Sequence, residues 1–414
     1  MLPEHSAVPP RICMLLESYF PVVGGMETQA VNMTCSFKKE GMPVLIVTRR
    51  SSPELAPHEI IEGTPVYRVG PATRSSRARW IMVLSALPTL FRLRREYDLI
   101  LVPGFRALGI TAVFIQLILG KPAVLKAESC GEMSGDFFKG GLQNIKLGLS
   151  SWPVRLFLKL RNSFLAHAKA FVSLSADMTA EYLSSGVPPA RLHVIAQSVD
   201  VDRFHPVDAP TKRALREKLG LPVDHTLIIF SGRLVSYKGL PNLLTVWKTL
   251  AAEFPKATLI IAGAGGVDIF NCESQIKQFV AEHGLKDRVI FTGAVKNVNE
   301  YLQASDIFAF PTENEAFPLA LLEALSAGLA AIGTTVGGIP DVLKDEENGL
   351  IIPPADGIAL TQALRRLMEN PEWRAKLIAG AQKTVRENYT RAIITDQYAR
   401  LFNLCLPPPT PSSK

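Results

Sequence analysis

Along the chain, short uninterrupted apolar runs alternate with longer segments whose apolar positions recur at helical spacing. Arg11–Leu16 is the first such run, continuously apolar as in a strand buried on both faces. Glu27–Lys39 has helical spacing, and Pro43–Thr48, Leu99–Val102, Ala123–Lys126, Ala170–Leu174 and His193–Ala196 repeat the strand style. This alternation predicts a parallel sheet covered by helices on both sides. Around residues 205–225 a polar, Pro-bearing connection and a charged helix interrupt it. The alternation then restarts at Thr226–Ser231, Ala257–Ala262, Arg288–Thr292, Ile307–Phe310, Ala330–Gly333 and Gly349–Ile352. The reading is α/β, with two doubly wound Rossmann-like domains of similar size, 1–207 and 208–388. A helix over 389–406 packs back toward the first domain, and the tail 407–414 (PPPTPSSK) has a disordered composition.

A length of 414 residues suits two or three domains. With 47% hydrophobic and 20% charged residues, wholesale disorder and collagen-like classes are excluded. The formal net charge is +7 and lies entirely in the first half: residues 1–207 carry 23 Lys+Arg against 16 Asp+Glu, residues 208–414 carry 22 of each. Two runs there hold no carboxylate: 63–95, with seven Arg, and 137–176, with six Lys and Arg. Such a face suits an anionic partner or is a solvated face. Five cysteines without CxxC spacing fit a reducing compartment and neither a disulfide framework nor a zinc module. The N-terminus shows no secretory pattern. The longest apolar run, Ala107–Gly120, is shorter than the ~20 residues of a membrane span and reads as a buried core helix. The expected location is cytoplasmic, peripheral on the membrane face.

In open parallel sheets, ligands bind beyond the carboxyl ends of the strands, so the loops that follow strands are where chemistry is sought. After the first strand, Gly24 and Gly25 open a helix whose amides suit an anion, although a Gly-Gly pair is also an ordinary turn. After Thr226–Ser231 come Arg233 and Lys238, a bidentate fork and a point charge that suit a diphosphate or simply face water. After Ala257–Ala262, the run Gly263–Gly266, including Gly265, permits close approach or a bare turn. After Ile307–Phe310, Glu315 sits in a loop and Glu323 lies eight residues on, on a helix rich in Leu and Ala. A carboxylate in that setting needs a partner or a ligand such as two vicinal hydroxyls. Gly337 and Gly338 follow the next strand.

Together and in this order, these loops resemble retaining glycosyltransferases of family 4 with the GT-B fold, in which two Rossmann-like domains face a cleft. The Glu-x7-Glu spacing within its Phe-Pro-Leu and Glu-Ala-Leu context is the most specific element, and Pro21–Glu27 and Val199–Phe204 fit the same pattern. The resemblance covers most of residues 11–400. It implies transfer of a sugar from a nucleoside-diphosphate sugar to a sugar or lipid-linked acceptor, in polysaccharide or lipid-linked glycan assembly. Arg233 and Lys238 would stabilise the departing diphosphate and Glu315 would hold donor-sugar hydroxyls; these are the catalytic candidates. Donor binding would further involve Gly24, Gly25, Gly265, the segment Phe317, Pro318 and Leu319 through the backbone amides it offers, Val295 beside the base, and Glu323 on the ribose.

The chain departs from the family in one informative place. Where many members carry a His, after Ala123–Lys126, it reads Ala127-Glu-Ser-Cys-Gly-Glu132, leaving Ser129, Cys130 and Glu132 as candidate sugar contacts. Asp200-Val-Asp202 resembles the interdomain segment and not a metal loop, so neither metal nor other cofactor is expected. A GT-B nucleotide-sugar epimerase and a non-catalytic GT-B module are the alternatives. The missing histidines weigh against the first, and the intact Arg233, Lys238, Glu315 and Glu323 against the second. No recognition module accompanies the basic charge, so nucleic acid is not an expected partner. The run Ser151–Leu165 mixes Trp, Phe and Leu with Arg and Lys, which suits a helix on anionic lipid or a buried helix with a basic edge.

Overall fold

The computed structural model describes residues 9–21, 25–73, 77–135, 151–266 and 268–407. The chain divides into two compact units, one formed by 1–195 with 395–414 and the other by 196–394. Residues 196–207 therefore count with the second unit. Gly24 and the tail 408–414 lie outside the described residues.

The first unit is built on β1 Ile12–Leu16, β2 Val44–Arg49, β3 His58–Ile61, β4 Thr64–Val69, β5 Leu99–Pro103, β6 Ala123–Lys126, β7 Ala170–Ser173 and β8 Leu192–Val194. They form one sheet in the order β3-β4-β2-β1-β5-β6-β7-β8, parallel except for β3. The continuously apolar runs are the central strands: every residue of β1 and β5 is buried. The β3–β4 hairpin was not anticipated. Its two-residue turn, Glu62-Gly63, has positive φ at both positions, the primed geometry that matches strand twist. The described helices of this unit include α1 Gly25–Lys39, α2 Arg77–Arg92, α3 Leu108–Leu119, α4 Trp152–Leu165 and, after it, Ala176–Ser184.

Two expectations change here. The apolar run 107–120 forms α3, but only one of its faces is buried; Leu117 and Ile118 are exposed, because the helix lies on the sheet with nothing described above it. The basic runs also overstate the surface charge. Arg68 is 5% exposed and pairs with Glu59, while Arg161 is 4% exposed and donates to the backbone carbonyls of Arg106 and Glu132. The last helix, Arg391–Cys405, brings Tyr398 and Phe402 edge-on to Phe37 of α1, each at 5.6 Å between ring centres.

The second unit contains β9 Thr226–Ser231, β10 Ala257–Ala262, β11 Val289–Gly293, β12 Ile307–Ala309, β13 Ala330–Thr334 and β14 Leu350–Ile352. All are parallel, in the order β11-β10-β9-β12-β13-β14. At the amino end of β12, the part-buried Asp306 accepts from Lys212 at 2.6 Å, Arg216 at 2.8 Å and the Leu227 amide at 2.8 Å. That carboxylate joins helix Ala209–Lys218 to the two central strands. Burial alone would raise its pKa, but Lys212 and Arg216 hold it below the usual range.

Asp306→Asn leaves two cations facing a neutral amide, so it should destabilise the protein by about 3 kcal/mol in urea unfolding. The folded pKa is depressed, so this stability is present above the ordinary carboxylate pKa and is lost as pH falls through the folded value. Wild-type stability should drop in that acidic window and that of Asp306→Asn should drop less.

Candidate functional site

The carboxyl end of the second sheet gathers most of the candidates. β9 runs into a loop that closes with a 3-10 turn over Ser236–Lys238 and Gly239 at φ 74°, from which helix Leu240–Glu253 starts. A Cβ at Gly239 would collide with the Pro311 carbonyl, so the loop after β9 abuts the loop after β12 through bare backbone. Thr312 and Glu313 tie the two loops further by donating to the Tyr237 carbonyl at 3.2 and 2.8 Å.

Arg233 is exposed, with one guanidinium nitrogen donating to Asp268 and the other to the Tyr237 hydroxyl, both at 2.7 Å. Lys238 is sheltered. Its Nζ donates to Glu315 Oε2 at 2.8 Å and to the Asn314 carbonyl at 3.2 Å, and lies over the rings of Phe310 and Tyr237 at 5.5 and 5.7 Å. The three catalytic candidates thus meet at one spot, with Tyr237 between the two cations. Asp268 and Tyr237 went unsingled by sequence reasoning. Asp268 carries no local signal, being brought in by the fold from 35 positions away. Tyr237 lies inside the chosen loop, and its position between two basic residues was the available clue.

Glu315 Oε1 also accepts the Ala316 amide at 3.1 Å. Behind the loop, Gly337 at φ 56° stands so close that a Cβ would strike the Glu315 carbonyl, and the Gly338 amide donates to Ala316. Phe317 is buried against Tyr389, and Pro318 caps helix Leu319–Ser326 without a side-chain bond. The Leu319 amide donates to the Phe317 carbonyl at 3.0 Å. First-turn amides further along remain available for an acceptor outside the helix.

Glu323 is part-buried; its carbonyl accepts the Ala327 amide at 2.9 Å, while its carboxylate accepts no hydrogen bond among the described residues. Burial pushes its carboxyl up to about 7, with the Arg203 guanidinium pulling the other way. Arg203 itself donates to the Lys296 carbonyl at 2.6 Å and sits over Phe204 at 5.2 Å. It therefore stands between Glu323 and the loop after β11. That loop lines a cavity of about 240 Å³ with Val295, Ala294 and Val298 on one side and Ser231, Gly232, Ala262 and Gly263 on the other. A Cβ on Gly263 would meet the Gly232 carbonyl, so glycine keeps β9 and β10 close beneath it. Gly265 gives its amide to Glu273 at 2.8 Å and packs on Asn271, so that amide is already used.

In the first unit, Gly25 opens α1. The loop after β6 joins two of its three candidates, the Ser129 hydroxyl donating to Glu132 Oε1 at 3.5 Å. Ser129 Oγ accepts from Arg106 at 3.2 Å, and Cys130 is exposed. Glu132 is completely buried, accepts the Glu128 and Arg106 amides at 3.2 and 3.4 Å, and has its carboxyl pushed up to about 7 by burial against the pull of Arg106. It organises the loop from within, leaving Ser129 and Cys130 nearer to solvent. Glu181 completes the loop by accepting the amides of Gly131, Met133 and Ser134 at 2.7, 2.9 and 3.0 Å.

Two family models match the chain in tandem: a glycosyl transferase 4-like domain over residues 24–197 and glycosyl transferases group 1 over 211–384. The D-inositol 3-phosphate glycosyltransferase of Xylanimonas cellulosilytica is 33% identical over 218 residues, 51% of each chain, so the match spans about half the length of that relative. Sucrose-phosphate synthase from Thermosynechococcus elongatus superimposes with a TM-score of 0.77 at 21% identity, covering 95% of this chain and 98% of that one. HepE from Anabaena, solved with UDP and glucose, gives 0.74 at 19% identity over 95% and 99%. With both family halves in order on one chain and two Rossmann-like units of this kind, the protein belongs to the family-4-type, group 1 glycosyl transferases of the GT-B fold.

Proposed function

We propose that the protein transfers a sugar from a nucleoside-diphosphate sugar to an acceptor hydroxyl, with retention of anomeric configuration, in polysaccharide or lipid-linked glycan assembly. The observation that carries this reading is the convergence of Arg233, Lys238 and Glu315 at the carboxyl ends of β9 and β12, beside the cavity lined by Val295. HepE, which shares the fold, was solved with UDP and glucose, and this supports a uridine-type nucleotide among the candidates.

In this reading the free enzyme stores its two cations against carboxylates. When donor binds, the diphosphate replaces Asp268 on Arg233 and Glu315 on Lys238, and Glu315 turns to the donor-sugar hydroxyls. The bond from the anomeric carbon to the phosphate oxygen breaks, the bond to the acceptor oxygen forms on the same face, and the acceptor proton passes to the departing phosphate. Charge grows on the diphosphate as this happens, and cations already fixed in place stabilise it without reorganisation. Two fixed cations supply the charge that a divalent ion would otherwise bring, so the reading includes turnover without added metal. Glu323 takes the ribose hydroxyls and Val295 lies against the base. Acceptor contacts fall to the first unit, with Ser129 and Cys130 as candidates. The protein works at the cytoplasmic membrane face.

Arg233→Ala and Lys238→Ala should each lower kcat by about 10²–10³-fold in a nucleotide-release assay with UDP-, GDP- and ADP-sugars. Near-wild-type turnover in both would sink the reading. EDTA should leave the rate unchanged; complete loss would overturn the metal-free part.

A carboxylate receives two hydroxyls only when ionised, and Glu323 in the free protein titrates at about 7. Nucleotide affinity, measured by calorimetry, should therefore rise as pH climbs through 7 and level off above it. Glu323→Gln should bind more weakly and show no such rise.

A further inference from the structure

Three helices of the first unit lie side by side in the order α2, α3, α4. The Thr111 hydroxyl of α3 donates to the Val83 carbonyl of α2 at 2.7 Å, and Gly109 lets α3 close onto Leu165 of α4. Their inward faces cover the sheet with side chains such as Met82, Ala112 and Val154. Their outward faces are apolar as well. Leu84, Leu117, Ile118, Trp152, Leu156 and Leu160 are 47–75% exposed, far from the scattered single exposures of an ordinary surface. On α4 the positions 152, 156 and 160 form a single stripe at four-residue spacing, and the exposed Arg155 and Lys159 run along its edge. No carboxylate occurs in α2, α3 or α4.

We propose that this outward face of α2, α3 and α4 docks on an anionic lipid bilayer. A surface that is apolar and exclusively cationic complements a layer of negative headgroups over hydrocarbon. Self-association would be poorly served, because a second copy would bring Arg155 and Lys159 against like charges with no carboxylate on these helices to pair them. The buried Arg161 and its neighbour Asn162 turn the docking helix into a lever on the loop after β6. Arg161 donates to the carbonyls of Arg106 and Glu132 at 2.7 and 2.8 Å, and Asn162 to that of Met133 at 2.9 Å. The loop bearing Ser129 and Cys130 is thereby fixed to the lipid-facing helix. Its consequence, that the acceptor hydroxyl is presented from a lipid, rests on the transfer reading; the docking itself does not.

The test is co-sedimentation of the full chain with vesicles of phosphatidylcholine alone and of equimolar phosphatidylcholine and phosphatidylglycerol. Wild type should bind the mixed vesicles at low ionic strength and be released by salt. The exposed double variant Leu156→Ser, Leu160→Ser should lower partitioning by at least about tenfold. Arg155→Gln with Lys159→Gln should abolish the preference for anionic over neutral vesicles. All should keep wild-type circular dichroism and donor turnover with a water-soluble acceptor. Failure of wild type to bind, or equal binding by the variants, overturns the proposal, as does a concentration-dependent dimer that Leu156→Ser, Leu160→Ser dissolves. Binding without any donor turnover would sustain the docking surface and reject the transfer reading; turnover without binding does the reverse.

Discussion

The ion pair between Lys238 and Glu315 is the interaction around which the candidate site is organised. It joins the loops after the two adjacent central strands, β9 and β12, and each partner is mostly withdrawn from water. Neither charge would be tolerated there alone. Glycine makes the pairing possible on both sides: Gly239 brings one loop against Pro311, and Gly337 supports the Glu315 backbone from behind. In the transfer proposed above, this pair holds its two charges in a set geometry until the donor divides them.

The same logic of compensated burial recurs away from the site. Asp306 stitches a helix to two strands through three donors, and Glu132 and Glu181 hold the loop after β6 through backbone amides. Glu323 is different. Its part-buried carboxylate has no described hydrogen-bond donor, and burial pushes it up to about 7 against the pull of Arg203.

Much of this was legible in the residues. Strands buried on both faces announce themselves as unbroken apolar runs, and β1, β5, β9 and β10 were found that way. The β3–β4 hairpin was not: β3 is a four-residue, partly exposed edge strand, and the six residues of β4 include Pro65 and Arg68, which break the apolar run. Arg68 and Arg161 were read as surface charge because composition counts a guanidinium without seeing the carbonyls and carboxylate that absorb it. The loops bearing Arg233, Lys238 and Glu315 were legible through their place after strands and their residue types. Asp268 was not, since only folding brings it to Arg233, and the inward turn of Glu132 left no trace in its neighbours.

The aromatic cluster of Phe37, Tyr398 and Phe402 has a bearing on how the chain matures. All eight strands of the first sheet have been synthesised by residue 194, yet Phe37 of α1 meets the rings of Tyr398 and Phe402 only once the last helix is made. Between those two moments the ribosome must deliver the whole second unit. The half that begins the polypeptide is thus the last to be sealed. A fragment cut after residue 195 would carry an open aromatic seam, however complete its sheet.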